Sequence, residues 1–224
     1  MTRQYTQRAR AEQSAATRMR ILAATRALLP AADQFQVEEI ARRAGVSVPT
    51  LYTHFGSKGG LLSALTAEIS REAGLFAGFE RVWLCADGES ALRTMLGTTL
   101  NFWHEAWTFI QFALRVRRTD AELGQRFEGI DASRYGHLVV ICRRLHDEQR
   151  LRAGLSPARA ARLAFAMTTP YVYEALVIQG GMPPRPAVAM AVEAASGAVL
   201  RPGTNPALST PADWSRYGLK PPSM

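Results

Sequence analysis

The chain has 224 residues, which is long enough for one or two domains. Its hydrophobic residues, 47% of the total, are sufficient for apolar cores. Its formal net charge is +8, and its two cysteines cannot by themselves make a disulfide framework or a four-ligand zinc site. No apolar run approaches the roughly 20 residues of a membrane span. Because no signal-peptide pattern follows the cationic N-terminus, we expect a cytoplasmic protein with no membrane partner.

The positive charge is concentrated at the start of the chain. Residues 1–60 contain nine Lys or Arg against four Asp or Glu, a net charge of +5, and the rest contribute +3. This asymmetry favours contact with a polyanion, although a solvated Arg-rich surface has the same composition. Arg3, Arg8 and Arg10 lie in a polar N-terminal arm, which we expect either to enter a DNA minor groove or to remain solvated.

The first two predicted helices end before residue 46. Apolar residues recur at helical spacing over residues 14–29 and again over residues 37–44. Pro30 ends the first helix, and Gly45 follows the second in the position of a left-handed terminator.

A third helix begins almost at once. The Ser47 hydroxyl can cap its first turn, and Pro49 lies in that turn, where a missing N–H costs nothing. Leu51 and Phe55 are four residues apart and face inward. The side chains left outside are Thr50, Thr53 and His54, with Tyr52 at the edge. Two short helices joined by about three residues, with a polar outer face on the second, are typical of a helix-turn-helix that enters the DNA major groove.

A fourth helix is predicted over about residues 58–79, with Ser57 as its cap. The free N–H groups at its start and the Lys58 ammonium point the same way. Together they predict a binding site for a DNA phosphate.

Two stretches, "RMRILAATRALL" and "IARRAGVSVPTLYTHFGSK", resemble the TetR family of bacterial transcriptional regulators. The resemblance covers about residues 15–66 and implies a recognition helix over residues 48–54. It implies base-edge contacts from Val48, Pro49 and Thr50, and phosphate contacts from Tyr52, His54 and Lys58. With the capping and outward-facing residues added, the candidate DNA-binding set is Ser47, Val48, Pro49, Thr50, Tyr52, Thr53, His54 and Lys58.

The chain departs from the family pattern at three places. The link "PAADQFQ" between the first two helices is about two residues short, and Gln36 replaces the threonine that commonly caps the second helix. Gly59 and Gly60 follow Lys58 where the family usually has an acidic residue. Because each helical glycine costs ~1 kcal/mol relative to alanine, we expect a loose start to the fourth helix and a weaker coupling between domains.

The remaining chain predicts further helices within residues 89–119, 133–154, 157–179 and 185–200, with a kink at Pro170. The first of these segments is aromatic. Its rings Phe102, Trp103, Trp107, Phe109 and Phe112 are candidates to line a pocket for an apolar or aromatic effector, as the larger domain of the family does. Core packing is the alternative for each ring.

Small residues on the segments 157–179 and 185–200 permit close helix approach. The family resemblance implies a four-helix homodimer interface there, whereas internal bundle packing would use the same residues. A dimer also suits DNA, because two recognition helices about 34–36 Å apart match a palindromic operator.

The sequence thus predicts an all-α protein with a DNA-binding domain over residues 1–60. An effector-binding and dimerisation domain over residues 61–200 and a Pro-rich irregular tail over residues 201–224 follow it. The predicted function is a dimeric repressor released from double-stranded DNA by a small molecule, with no cofactor and no metal. One alternative is a DNA-binding regulator without a small-molecule effector. A small helical enzyme is a remote alternative, because phosphate-loop, nucleophile-elbow and zinc-protease motifs are missing.

Overall fold

The computed structural model describes residues 2–30 and 35–202, with side chains from residue 7 onward. Its regular elements are α-helices, and one short stretch is π-helical. The helices are α1 (Thr2–Leu28), α2 (Val37–Ala44), α3 (Val48–Phe55), α4 (Lys58–Glu72), α5 (Leu75–Trp83), α6 (Gly88–Glu105), α7 (Trp107–Thr119), α8 (Ala121–Asp147), α9 (Pro157–Ala166), α10 (Pro170–Tyr173), continued by the π-helical segment Glu174–Gln179, and α11 (Pro184–Val199). Among these residues extended pairing is limited to one isolated bridge between Leu151 and Leu200. The all-α prediction is confirmed.

The described residues pack into two compact units. The first unit contains the residues up to Ile69 together with Thr108–Phe127. Its core joins α1 to α4 with α7 and the start of α8, because α7 and α8 contribute fully buried apolar side chains. The buried residues of this unit include Ile21, Leu22, Leu51, Leu61, Leu65, Phe112, Val116 and Leu123.

The second unit contains Ser70–Trp107 and the residues from Glu128 onward. In this unit α6 packs against α5 and α11, and α11 packs against α9. Small side chains permit that last approach, since Ala160, Ala164 and Ala195 are fully buried. Leu92, Leu96, Leu138, Ile141 and Leu145 fill the same core from α6 and α8.

Several predicted helices have different bounds in the structure. Helix α1 starts at Thr2, about three turns before the predicted start. The predicted fourth helix is interrupted at Gly74, whose φ of 69° is a left-handed conformation that favours glycine. The aromatic segment is interrupted at Ala106, while α8 begins twelve residues earlier than predicted. Pro170 does break the late helix, as predicted, and begins α10.

Two predictions concern residues outside the described ranges. Most of the tail, residues 203–224, and part of the link between α1 and α2, residues 31–34, lie there. Within the described ranges, none of the helices combines the length and apolar character that crossing a membrane requires.

Candidate nucleic-acid interface

The turn between α2 and α3 has the predicted geometry. Gly45 adopts the left-handed conformation with φ 66°, and the Val46 N–H donates to the Ala41 carbonyl at 3.0 Å. Ser47 has extended backbone angles, and its Oγ accepts a hydrogen bond from the Thr50 N–H at 3.2 Å. Both ends of the turn are therefore fixed by local hydrogen bonds, which orient α3 against α2.

Helix α3 presents one buried and one exposed face. Leu51 is fully buried, and Phe55 is half-buried beside the Arg18 guanidinium, whose carbon lies 5.1 Å from the ring centroid. Arg18 therefore adds a cation beside α3 that the sequence analysis did not identify. The predicted DNA-binding residues of α3 are all at least partly exposed: Pro49, Tyr52 and Thr53 are exposed, and Val48, Thr50 and His54 are half-buried.

The hydroxyl groups on the exposed face are already ordered. Ser47 Oγ and Thr50 Oγ1 are 2.8 Å apart and share a hydrogen bond. Thr53 Oγ1 donates to the Pro49 carbonyl at 2.9 Å. Because these bonds fix the rotamers of the free protein, little side-chain entropy remains to be lost when these hydroxyl groups contact a binding partner.

Lys58 is the first residue of α4, and its ammonium has a partner within the protein that the sequence did not indicate. Ser57 caps the helix as expected, since its Oγ accepts from the Gly60 N–H at 2.9 Å. The Lys58 ammonium, however, is hydrogen bonded to the Asp120 carboxylate and lies 6.0 Å from the Phe35 ring centroid. Partial burial opposes ionisation of Asp120, but Lys58 and the Leu123 N–H together lower the pKa of that carboxyl below its ordinary value.

Both glycines after Lys58 lie in close contact with other residues, and backbone packing requires the second of them. A Cβ at Gly59 would overlap the side chains of Arg126 and Glu122, and a Cβ at Gly60 would overlap the Phe55 carbonyl oxygen. Arg126 also donates to Ser63 Oγ at 2.7 Å. The first turns of α4 and α8 are therefore in direct contact, which replaces our expectation of a loose start to α4.

Three of the five candidate effector-binding rings belong to the second unit. Trp103 is 8% exposed, donates from Nε1 to the Thr168 carbonyl at 3.0 Å, and packs 5.4 Å from Phe102. Trp107 is half-buried with its ring 5.2 Å from Tyr173. Tyr173 in turn bonds His104 Nδ1 at 2.7 Å. Trp107 is thus the most accessible ring of the three.

The other two candidate rings are core residues of the first unit. Phe112 is fully buried and packs 5.8 Å from Phe35, and Phe109 packs 6.2 Å from Phe127. The set is therefore divided between two cores, which the spacing in one apolar segment did not indicate. A pocket of about 250 Å³ in the second unit includes none of the five rings and is lined by Glu89, Arg93, Arg150, Glu193, Gly197, Leu200, Arg201 and Pro202.

The sequence analysis also missed a buried cation beside Trp103. Arg134 is 7% exposed, and its guanidinium carbon lies 3.8 Å from the Phe165 ring centroid. Burial lowers its pKa to about 10, against the opposing effect of Asp131. A single arginine in an amphipathic helix carries no sequence signal of burial. Across the described residues no group of three or more His, Cys, Asp or Glu could hold a metal ion.

Comparison with known proteins finds a family match within the first unit. Residues 21–65 match the family model "Bacterial regulatory proteins, tetR family". No curated protein matches the chain. The matched segment runs from the buried face of α1 through the turn and α3 into α4, so it contains all eight candidate DNA-binding residues.

Solved structures share the fold over most of the chain. NalD of Pseudomonas aeruginosa, the secondary repressor of the MexAB-OprM multidrug efflux pump, is 22% identical with a TM-score of 0.65, over 86% of this chain and 100% of that one. SmeT of Stenotrophomonas maltophilia in complex with triclosan is 21% identical with a TM-score of 0.63, over 88% and 99%. FadR of Bacillus subtilis, a transcriptional regulator solved with stearoyl-CoA, is 19% identical with a TM-score of 0.63, over 80% and 98%.

Proposed function

We propose that this chain, whose residues 21–65 belong to the tetR family of bacterial regulatory proteins, is a sequence-specific DNA-binding repressor. The observation that carries the proposal is the helix-turn-helix of α2 and α3, with its capped turn and its exposed, pre-ordered polar face. A major groove about 12 Å wide admits one α-helix. The net charge of +5 on residues 1–60 supplies attraction to phosphate.

The exposed residues divide into two groups by position. Val48, Pro49 and Thr50 lie in the first turn of α3, from which recognition helices contact base edges. Tyr52, His54 and Lys58 lie farther along and suit phosphate contacts. We assign Ser47 and Thr53 supporting roles, because each orders a neighbour through a hydrogen bond.

A homodimer through the late helices fits this function. Tyr171, Ile178 and Met190 are large apolar side chains that are 50%, 49% and 45% exposed. They lie on α10, the π-helical segment and α11, the region proposed for the interface. Two copies joined there would present two α3 helices to a palindromic operator, at a separation of about 34–36 Å.

Control by a small apolar or aromatic effector is the further part of the proposal. SmeT was solved with the aromatic molecule triclosan, and FadR was solved with stearoyl-CoA, which carries a long apolar chain. In this chain Trp107 is the candidate with the greatest access, while burial of Phe102, Trp103, Phe109 and Phe112 favours a packed core. The alternative, a DNA-binding regulator with no small-molecule effector, would require a fully packed larger domain.

Selection from a random-sequence DNA pool, followed by sequencing at two salt concentrations, tests the DNA-binding proposal. Enrichment of a palindrome that persists at the higher salt supports it. If no sequence is enriched and binding disappears at the higher salt, the protein binds DNA only non-specifically, through its positive charge.

A further inference from the structure

We propose that Asp120 is a positioning residue of the DNA interface that competes with DNA phosphate for the Lys58 ammonium. The inference rests on the proposed function, because it requires Lys58 to meet a phosphate. Asp120 is 62 positions from Lys58 in the sequence, yet the two charged groups are hydrogen bonded within the first unit.

Asp120 is held in place by both of its carboxylate oxygens. Oδ1 accepts from the Leu123 N–H at 3.1 Å, which caps α8, and Oδ2 accepts from Lys58. The side chains of Lys58 and Asp120 are 28% and 19% exposed, so the pair is partly shielded from water and salt. The carboxylate therefore stays where it is whether or not Lys58 remains bound to it.

The surrounding packing holds the pair together. Gly59 leaves room for Glu122 and Arg126 above the first turn of α4, and Arg126 anchors that turn through Ser63. Lys58 is the first residue of α4 and Asp120 immediately precedes α8. Because the starts of α4 and α8 are in contact, the distance between the Asp120 carboxylate and the Lys58 backbone is fixed.

One ammonium cannot give its full attraction to two anions. When a phosphate approaches the start of α4, Lys58 must leave Asp120 or be shared with it, and either choice weakens the gain from DNA binding. Even a surface ion pair can contribute ~1 kcal/mol, which corresponds to a factor of about five in affinity, and partial shielding does not weaken the attraction within this pair. Asp120 therefore lowers the affinity of the interface for any DNA sequence.

The test compares two substitutions that each remove one negative charge from the same turn. Asp120→Asn removes the partner of Lys58 but keeps a capping oxygen, whereas Glu122→Gln removes a charge that is not bonded to Lys58. Each is made with Lys58 present and with Lys58→Met. Binding is measured by fluorescence anisotropy on the duplex enriched from the random pool and on a scrambled duplex of equal length.

The proposal expects Asp120→Asn to bind both duplexes about two- to fivefold more tightly than Glu122→Gln, with no such gain when Lys58 is methionine. Asp120→Ser, which also retains a capping oxygen, should shift affinity in the same direction. Equal binding by the two charge variants, or a gain that survives Lys58→Met, overturns the competition while leaving the DNA-binding function intact. If the wild-type protein binds neither duplex, the proposed function fails first and this proposal fails with it.

Discussion

Replacing Gly60 by alanine should destabilise the protein although alanine is the better helix former. A Cβ at this position would overlap the Phe55 carbonyl oxygen, which belongs to the backbone and cannot turn aside as a side chain can. Overpacking of this kind costs ~1–3 kcal/mol, against a gain of ~1 kcal/mol in helix propensity. We expect a net loss of up to about 2 kcal/mol, which lowers the melting temperature by up to roughly 8 °C in a chain of this size.

Gly129→Ala is the matched control, because Gly129 is an exposed helical residue of α8 and a Cβ there would meet nothing within 4 Å. This change should raise stability by ~1 kcal/mol and the melting temperature by about 2–4 °C. Thermal and urea unfolding followed by far-ultraviolet circular dichroism compare the two variants. If both substitutions stabilise the protein, Gly60 is an ordinary helical glycine and the account of a close-packed start to α4 is wrong.

Four further predictions address the interface, the effector and the dimer. Lys58→Ala should weaken binding to all DNA sequences alike and reduce the slope of log affinity against log salt by about one; an unchanged slope would remove Lys58 from the phosphate contacts. Thr50→Ala should change sequence preference in a repeated selection, and a uniform loss over operator variants would count against base contact. Trp107→Ala should alter the effector response with little change in operator affinity, whereas a lower melting temperature alone indicates a core role. Ile178→Glu should convert a dimer to monomers in sedimentation and weaken operator binding at least tenfold; an unchanged dimer would place the interface elsewhere.

Features that depend on a few neighbouring residues were predicted correctly from the sequence. The left-handed Gly45, the Ser47 cap of α3 and the Ser57 cap of α4 all occur as expected. Each is set by hydrogen bonds between groups no more than about five positions apart. Such bonds follow from residue type and spacing alone.

The predicted ends of helices were wrong where the spacing of apolar residues gives no information about them. The side chains of residues 7–16 in α1 are exposed and the sequence has no apolar face before Ile21, so periodicity placed the start too late. The interruption at Gly74 was missed because apolar spacing continues on both sides of it. Pro170, in contrast, marks its break through a missing N–H and a ring clash, which the residue type alone predicts.

The contacts that matter most for the site come from distant parts of the chain. Asp120 meets Lys58 only because α7 and the start of α8 pack into the first unit, and no local pattern predicts that packing. For the same reason the aromatic segment was expected to act as one group, whereas Phe109 and Phe112 belong to a different core from Trp103. The two glycines after Lys58 were assigned an entropic cost, because the side chains above them could not be foreseen.

The central claim is that two copies of α3 bind two half-sites one helical turn apart, and changing that spacing tests it most directly. Affinity would be compared for the enriched palindrome and for the same duplex with about five base pairs inserted between its halves, which turns one half-site to the opposite face of the DNA. The account predicts that the insertion reduces affinity to the level of a single half-site. Equal affinity for the two duplexes would contradict a paired, symmetric interface.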